Sequence, residues 1–196
     1  MFVTFEGPEG AGKSTVLAEM ARRLTESGRE VVTTREPGAG AFGARIREIL
    51  LHGDDMIPRA ELFLFLADRA QHVASLVRPA LAQGKLVLCD RYTDSTVVYQ
   101  SLTRGLDLEF VKAANAFATE NLIPDRTFLL DVDPQKGLSR VTHKDRMDGQ
   151  PLSFHESVRK GFLLLARQNP ERWVVVDANR SIDEVIEKVW SELKDK

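Results

Sequence analysis

Gly7, Gly12, Lys13 and Ser14 satisfy the spacing G-x-x-x-x-G-K-[ST] within the stretch FEGPEGAGKST. Such a loop turns successive backbone N–H groups toward one point, where they can cradle phosphate oxygens. On that reading Gly7, Pro8, Glu9, Gly10, Ala11, Gly12, Lys13, Ser14 and Thr15 wrap the phosphates of ATP. Lys13 reaches the β- and γ-phosphates, and Ser14 offers its hydroxyl to Mg²⁺. The loop follows an apolar run and precedes a helical one, which is the context that a phosphate loop needs.

A second set of residues suits a second anion. Asp90 and Arg91 end the run KLVLCD and open CDRY, and Arg35 and Glu36 end a run at TREPG, with Arg45 further on. Arginine's planar fork grips a phosphate in two places, whereas water activation for hydrolysis calls for paired acids at such a strand end. Asp90 either holds Mg²⁺ through water or accepts a hydrogen bond from Ser14. No N-K-x-D guanine-reading tetrapeptide occurs, which argues against a GTPase. Phe65 and Arg69 stand four apart in FLFLADR, so a ring and a guanidinium share one helical face and suit a nucleobase.

These residues require a scaffold of parallel strands. FVTF, EVVTT, KLVLCD, RTFLLDV and RWVVVDA are near-continuous apolar runs, as strands covered on both faces must be. Helical stretches separate them. Lys13 to Ser27 carries Val16, Leu17, Met20, Ala21 and Leu24 on one face, with Gly28 as a stop, and Arg59 to Gln83 reads as a long helix interrupted at Pro79. Ser153 with Glu156, and Ser181 with Glu184, have capping-box spacing. The alternation predicts an α/β, three-layer P-loop NTPase fold: a five-stranded parallel sheet with helices on both faces, in a single domain spanning residues 1–196. Residues 140–153, polar and ending in Gly149 and Pro151, read as a short mobile lid.

The formal net charge of -2 gives no reason to expect a nucleic-acid polymer or an anionic membrane as partner. The single cysteine, Cys89, excludes an internal disulfide and reads as a buried strand residue. His52, His72, His143 and His155 lack zinc-site spacing. The N-terminal residues lack the features of a signal peptide, and no apolar run approaches the ~20 residues of a membrane span, so a cytoplasmic location is expected.

FEGPEGAGKST, TREPG, FLFLADRAQHV, CDRYTDSTVVYQ, RGL, PDRTFLLDVDP and FHESVRKGF together resemble bacterial thymidylate kinases along essentially the whole chain. The resemblance implies ATP- and Mg²⁺-dependent phosphorylation of dTMP to dTDP by direct in-line transfer, in a homodimer. It places Glu9 near the sugar 3′-hydroxyl and Arg35, Arg45 and Arg91 around the acceptor phosphate. Phe65 stacks on thymine, Arg69 bonds its O4, Thr96 and Gln100 lie near the base edge, and Tyr99 packs under the deoxyribose. Members of the family carry a catalytic arginine either in the P-loop or in the lid. Pro8, Glu9, Gly10 and Ala11 exclude the first arrangement, which leaves Arg140 or Arg146, with Lys144 as a further candidate, to join Lys13 and Arg91 as the catalytic cations.

Overall fold

Along the strand Phe2–Glu6 every residue is buried, but alternate side chains enter different cores. Val3 and Phe5 join a cluster with Val16, Met20, Leu24, Val185 and Val189, whereas Phe2 packs with Val73, Val77, Val87 and Tyr92. A strand clothed on both sides in this way must sit inside a sheet. The computed structural model, which describes residues 1–142 and 145–194, places it there. Strands β1 (Phe2–Glu6), β2 (Val31–Arg35), β3 (Leu86–Asp90), β4 (Arg126–Asp131) and β5 (Trp173–Asp177) form one sheet in the order β2-β3-β1-β4-β5. All pairings are parallel, and β1 lies in register with β3 from Phe2↔Val87 to Phe5↔Asp90. The five apolar runs of the sequence are these five strands, and Cys89 is buried in β3.

One face of the sheet is covered by α1 (Lys13–Glu26) and α9 (Ile182–Leu193), whose buried stripes meet in a single core. Gly28, at φ 88, stops the chain after α1, and Ser181 forms the expected capping box with Glu184. On the opposite side lie α3 (Pro58–His72), α4 (Arg78–Ala82), a one-turn α5 (Thr93–Thr96) and α8 (Leu152–Gln168), with α6 (Leu108–Thr119) packed on α3. Helix α2 (Gly40–His52) packs on α3, and α7 (Pro134–Ser139) follows β4.

The interruption expected at Pro79 is present in a particular form, and the cap expected at Ser153 is corrected. The long helix from Arg59 is not uniformly α-helical: Val73–Val77 forms a π-helical turn between α3 and α4. Pro79 has no N–H for the carbonyl four residues back and its ring crowds that turn, and a widened turn just before it absorbs the mismatch. Pro151, at φ -63, occupies the cap of α8, so Ser153 falls inside the first turn and makes no cap. A second π-helical stretch, Val97–Thr103, continues α5 and carries Tyr99 and Gln100.

The chain leaves β1 toward β2 on one side and leaves β3 toward β4 on the other. The crevice at the carboxyl ends of β1 and β3 is therefore the switch point where open α/β sheets bind ligands. The phosphate loop follows β1, and Asp90 with Arg91 ends β3.

Candidate active site

The loop from Gly7 to Gly12 owes its shape to backbone angles open mainly to glycine: φ is 144 at Gly7, 67 at Gly10 and 87 at Gly12. Gly10 also meets α7 so closely that a Cβ there would lie 1.9 Å from the Gly137 carbonyl oxygen. Lys13 is buried and donates to the carbonyls of Gly7 at 3.1 Å and Pro8 at 2.9 Å. Burial, then the neighbouring Arg91, pulls its pKa below the ordinary lysine range. Both effects oppose a lone cation and favour an anion beside it.

Ser14 Oγ donates to Asp90 Oδ2 at 2.6 Å, which joins the start of α1 to the end of β3. This hydrogen bond is one of the two roles open to Asp90. The hydroxyl–carboxylate pair is a hard oxygen set that suits Mg²⁺. Among the described residues no cluster of three or more His, Cys, Asp or Glu forms a cation cage.

Residues Glu9 to Thr15 line a cavity of about 340 Å³, and Gly7 and Pro8 do not. Arg35, Phe65, Arg69, Asp90, Arg91, Thr96, Tyr99 and Gln100 line the rest, so the structure brings these expected residues together. Arg45 is the exception. It is exposed and away from the cavity, whereas Arg47 lines it. At about 100° per residue, two positions on α2 differ by about 200°, and the buried face is set by Gly43 and Leu50, four before and three after Arg47. Arg47 donates to the Pro37 carbonyl at 2.9 Å, and burial, then repulsion from Arg35, lowers its pKa.

Arg91 sits at φ 69, and its guanidinium donates to Gly7 O at 3.1 Å, Ser95 Oγ at 3.2 Å and Glu9 Oε2 at 2.7 Å. Tyr99 Oη donates to the other oxygen of Glu9 at 2.7 Å. Burial pushes the Glu9 carboxyl up, but Arg91, Lys13 and these hydrogen bonds outweigh it and hold it at about 2. Beneath this layer, Glu6 is fully buried and accepts from Tyr92 N at 2.8 Å, Ser95 N at 3.3 Å and Ser95 Oγ at 2.6 Å. Burial, then the charge of Asp94, pushes its pKa up to about 7.

Arg69 is 1% exposed. It donates to Glu36 at 2.8 Å, Thr96 at 2.8 Å, Asn115 at 2.6 Å and the Tyr92 carbonyl at 3.0 Å. Four of a guanidinium's five N–H groups are thereby engaged, and one on Nη2 is left over. His72 braces the other oxygen of Glu36 at 2.7 Å and meets Thr34 at 2.8 Å.

The two lid arginines do not line the cavity. Arg140 reaches the carbonyls of Gly10 at 3.3 Å and Ala178 at 3.2 Å, which places it against the phosphate loop. Arg146 is committed elsewhere: it donates to Leu50 O at 3.0 Å and to Glu61, while its neighbours Asp145 and Met147 line the cavity. An arginine neutralised by a buried carboxylate is badly placed to act as a free transition-state cation. Lys144 and His143 lie outside the described residues.

Sequence reasoning passed over Arg47, Glu6, Glu61 and Gly137. Glu61, Phe65 and Arg69 do recur at four-residue spacing in α3, a signal that could have marked Glu61.

The thymidylate kinase family model matches residues 5–189. A thymidylate kinase of Synechococcus sp. (strain JA-3-3Ab) is 48% identical over 194 residues, covering 99% of this chain and 95% of the relative. One from Bifidobacterium longum (strain DJO10A) is 46% identical over 201 residues, covering 100% of this chain and 98% of the relative. The crystal structure of thymidylate kinase from Ehrlichia chaffeensis superposes with a TM-score of 0.83 at 33% identity, covering 99% of this chain and 98% of that one.

Proposed function

The chain belongs to the thymidylate kinase family, and from that premise we propose how its residues divide the transfer of a phosphoryl group from ATP to dTMP. The enzyme phosphorylates dTMP to dTDP with ATP as donor and Mg²⁺ as the required metal ion. The observation that carries the assignment of roles is the meeting of two cationic sets in one cavity, the phosphate loop with Lys13 and the three arginines Arg35, Arg47 and Arg91.

The loop amides and Lys13 bind the donor phosphates; the lysine exchanges its bonds to the Gly7 and Pro8 carbonyls for phosphate oxygens. Mg²⁺ held beside Ser14 and Asp90 supplies charge neutralisation on the donor phosphates. Arg91, Arg35 and Arg47 hold the acceptor phosphate, with Arg47 in the place first given to Arg45. Glu9 faces the sugar 3′-hydroxyl and Tyr99 packs under the deoxyribose. Phe65 stacks on thymine, Thr96 flanks its edge, and the remaining Nη2 hydrogen of Arg69 meets O4.

The acceptor is already an anion, so positioning and charge neutralisation suffice and no strong base is assigned. Residues 140–153 serve as the lid that keeps water from the γ-phosphate, and Arg140, beside Gly10, is the basic lid residue placed to assist.

The active form is a homodimer. This reading draws on Phe63 of α3 and Phe110 and Phe117 of α6, exposed by 58%, 52% and 88% on two helices that pack together, an apolar area suited to a second copy. No helix among the described residues is long and apolar enough to cross a membrane. We assign the protein to the cytoplasm, where ATP and dTMP are available.

The test is transfer from ATP with Mg²⁺ to dTMP, dUMP, ribosyl-TMP, dCMP, UMP and thymidine, read by product separation. Dominant dTDP formation is expected. A preference for another monophosphate would overturn the roles of Phe65, Arg69 and Tyr99, and transfer to thymidine would overturn the acceptor assignment itself.

A further inference from the structure

Glu61 is fully buried on α3 and lies outside the cavity lining, yet it gathers three polar partners from separate parts of the chain. Its Oε1 accepts from Gln100 Nε2 at 2.9 Å and lies 3.2 Å from Arg104 Nε, an ion pair without hydrogen-bond alignment. Its Oε2 accepts from Arg146 Nη2. A buried carboxylate is tolerated because two guanidiniums and an amide surround it.

The chemistry of this cluster fixes the orientation of Gln100. A carboxylate paired with two arginines is an acceptor only, so the amide must turn its NH₂ toward Glu61. The Gln100 carbonyl oxygen is then the group left for the cavity, which Gln100 lines. An acceptor there complements a base with an N–H at its Watson–Crick edge, such as thymine or uracil. It opposes cytosine, whose N3 is itself an acceptor.

The same carboxylate also holds Arg146. Arg146 is anchored by Glu61, by its side-chain bond to Leu50 O, and by its backbone N–H to Leu51 O at 3.3 Å. On either side of it, Asp145 and Met147 form part of the cavity wall.

We propose that Glu61 is a positioning residue that selects the base by fixing the Gln100 amide and, through Arg146, holds Asp145 and Met147 in the wall of the acceptor cavity. The proposal rests on the dTMP reading of the cavity given above.

Steady-state kinetics of wild type, Glu61→Gln and Arg146→Met with dTMP, dUMP and dCMP test it. For Glu61→Gln, the KM for dTMP should rise about tenfold, the preference for dTMP over dCMP should fall about tenfold, and kcat and the KM for ATP should move less than about threefold. Arg146→Met should raise the KM for dTMP while keeping the dTMP:dCMP preference, because Gln100 keeps its partner. The proposal is overturned if Glu61→Gln leaves KM and preference at wild-type values, or lowers kcat and ATP affinity together with melting temperature. If Glu61→Gln does not fold, Arg146→Met decides alone: a fall in kcat of about a hundredfold at unchanged dTMP KM would make Arg146 a transition-state cation and overturn the tie. A wild-type enzyme that favours another acceptor overturns the dTMP reading as well, whereas a dTMP-selective wild type with silent variants overturns only the role of Glu61.

Discussion

Arg91 Nη2 lies 2.7 Å from Glu9 Oε2, so the first residue beyond β3 is clamped onto the loop beyond β1. The clamp holds the Glu9 carboxyl at about 2, below its ordinary 4.5, once Arg91 and Lys13 have outweighed burial. A carboxyl with a lowered folded-state pKa contributes stability that is present above its unfolded pKa and lost as pH falls through the folded value. Glu9→Gln is therefore expected to be less stable than wild type at pH 7. In denaturant titrations the gap should be constant above about pH 5 and shrink between pH 5 and pH 3. A gap that is the same at pH 3 and pH 7 would mean that the clamp is not ionic.

Arg47 and Arg45 provide a test of helix phase. Arg47→Ala should raise the KM for dTMP about tenfold to a hundredfold, since it removes a charged contact to the acceptor phosphate from a partly desolvated site. Arg45→Ala, on the exposed face of α2, should change it by less than about twofold. Calorimetric titration of dTMP into the two variants separates binding from turnover. Equal effects would place both side chains, or neither, on the phosphate.

Gly137 in α7 fits against the phosphate loop with no room for a methyl group: an added Cβ would lie 2.3 Å from the Glu9 carbonyl oxygen and 3.1 Å from Val132 Cγ1. Both loop and helix backbone must shift to admit one. Gly137→Ala is expected to cost about 1–3 kcal/mol, as overpacking of a tight contact does, and to weaken ATP binding in parallel. Unchanged ATP affinity with a lowered melting temperature would show that α7 moves and the loop does not.

The sequence revealed those parts of the enzyme whose cause is local. The β strands announce themselves because both faces of each are covered, and the phosphate loop because its backbone angles demand glycine at fixed intervals. Arg91 is legible because a motif and a strand end coincide at it, and Phe65 and Tyr99 because each stands within a recognisable local motif. The sequence does not separate Arg45 from Arg47, because choosing between them needs the phase of α2, which the packing of Gly43 and Leu50 decides. Glu6 carries no local mark, and the four-residue spacing of Glu61 with Phe65 and Arg69 does not reveal the donors that Glu61 meets. Their partners lie 89 residues away at Ser95 and 39 and 85 residues away at Gln100 and Arg146. A single acid at the end of an apolar strand or within a helix carries no sign of the donors that folding will bring to it. The π-helical turns were likewise unmarked except by Pro79, which signals a break without saying how the helix accommodates it.

Glu6 gives a prediction opposite in sign to that for Glu9, although the two carboxylates lie three residues apart. Burial, then the charge of Asp94, raises the Glu6 pKa to about 7, so from about pH 4.5 upward the folded chain holds a proton that the unfolded chain has released. Stability falls with rising pH wherever the native state binds more protons. The contribution of Glu6 is thus a loss that begins near pH 4.5, grows to about pH 7 and is constant above it. Glu6→Gln keeps the shape of the side chain; its carbonyl oxygen can accept from Tyr92 N and Ser95 N, and its amide can donate to Ser95 Oγ. The variant cannot ionise and should gain on wild type as pH rises from 5 to 7.5, as measured by denaturant midpoints at a series of pH values. Because Ser95 Oγ also bonds Arg91 at 3.2 Å, the exchange reverses the hydroxyl's role beside the acceptor arginine. The same variant is therefore expected to raise the KM for dTMP with little change in the KM for ATP. A stability difference from wild type that does not vary with pH would show that Glu6 is ionised throughout, with Ser95 and the backbone donors offsetting its burial.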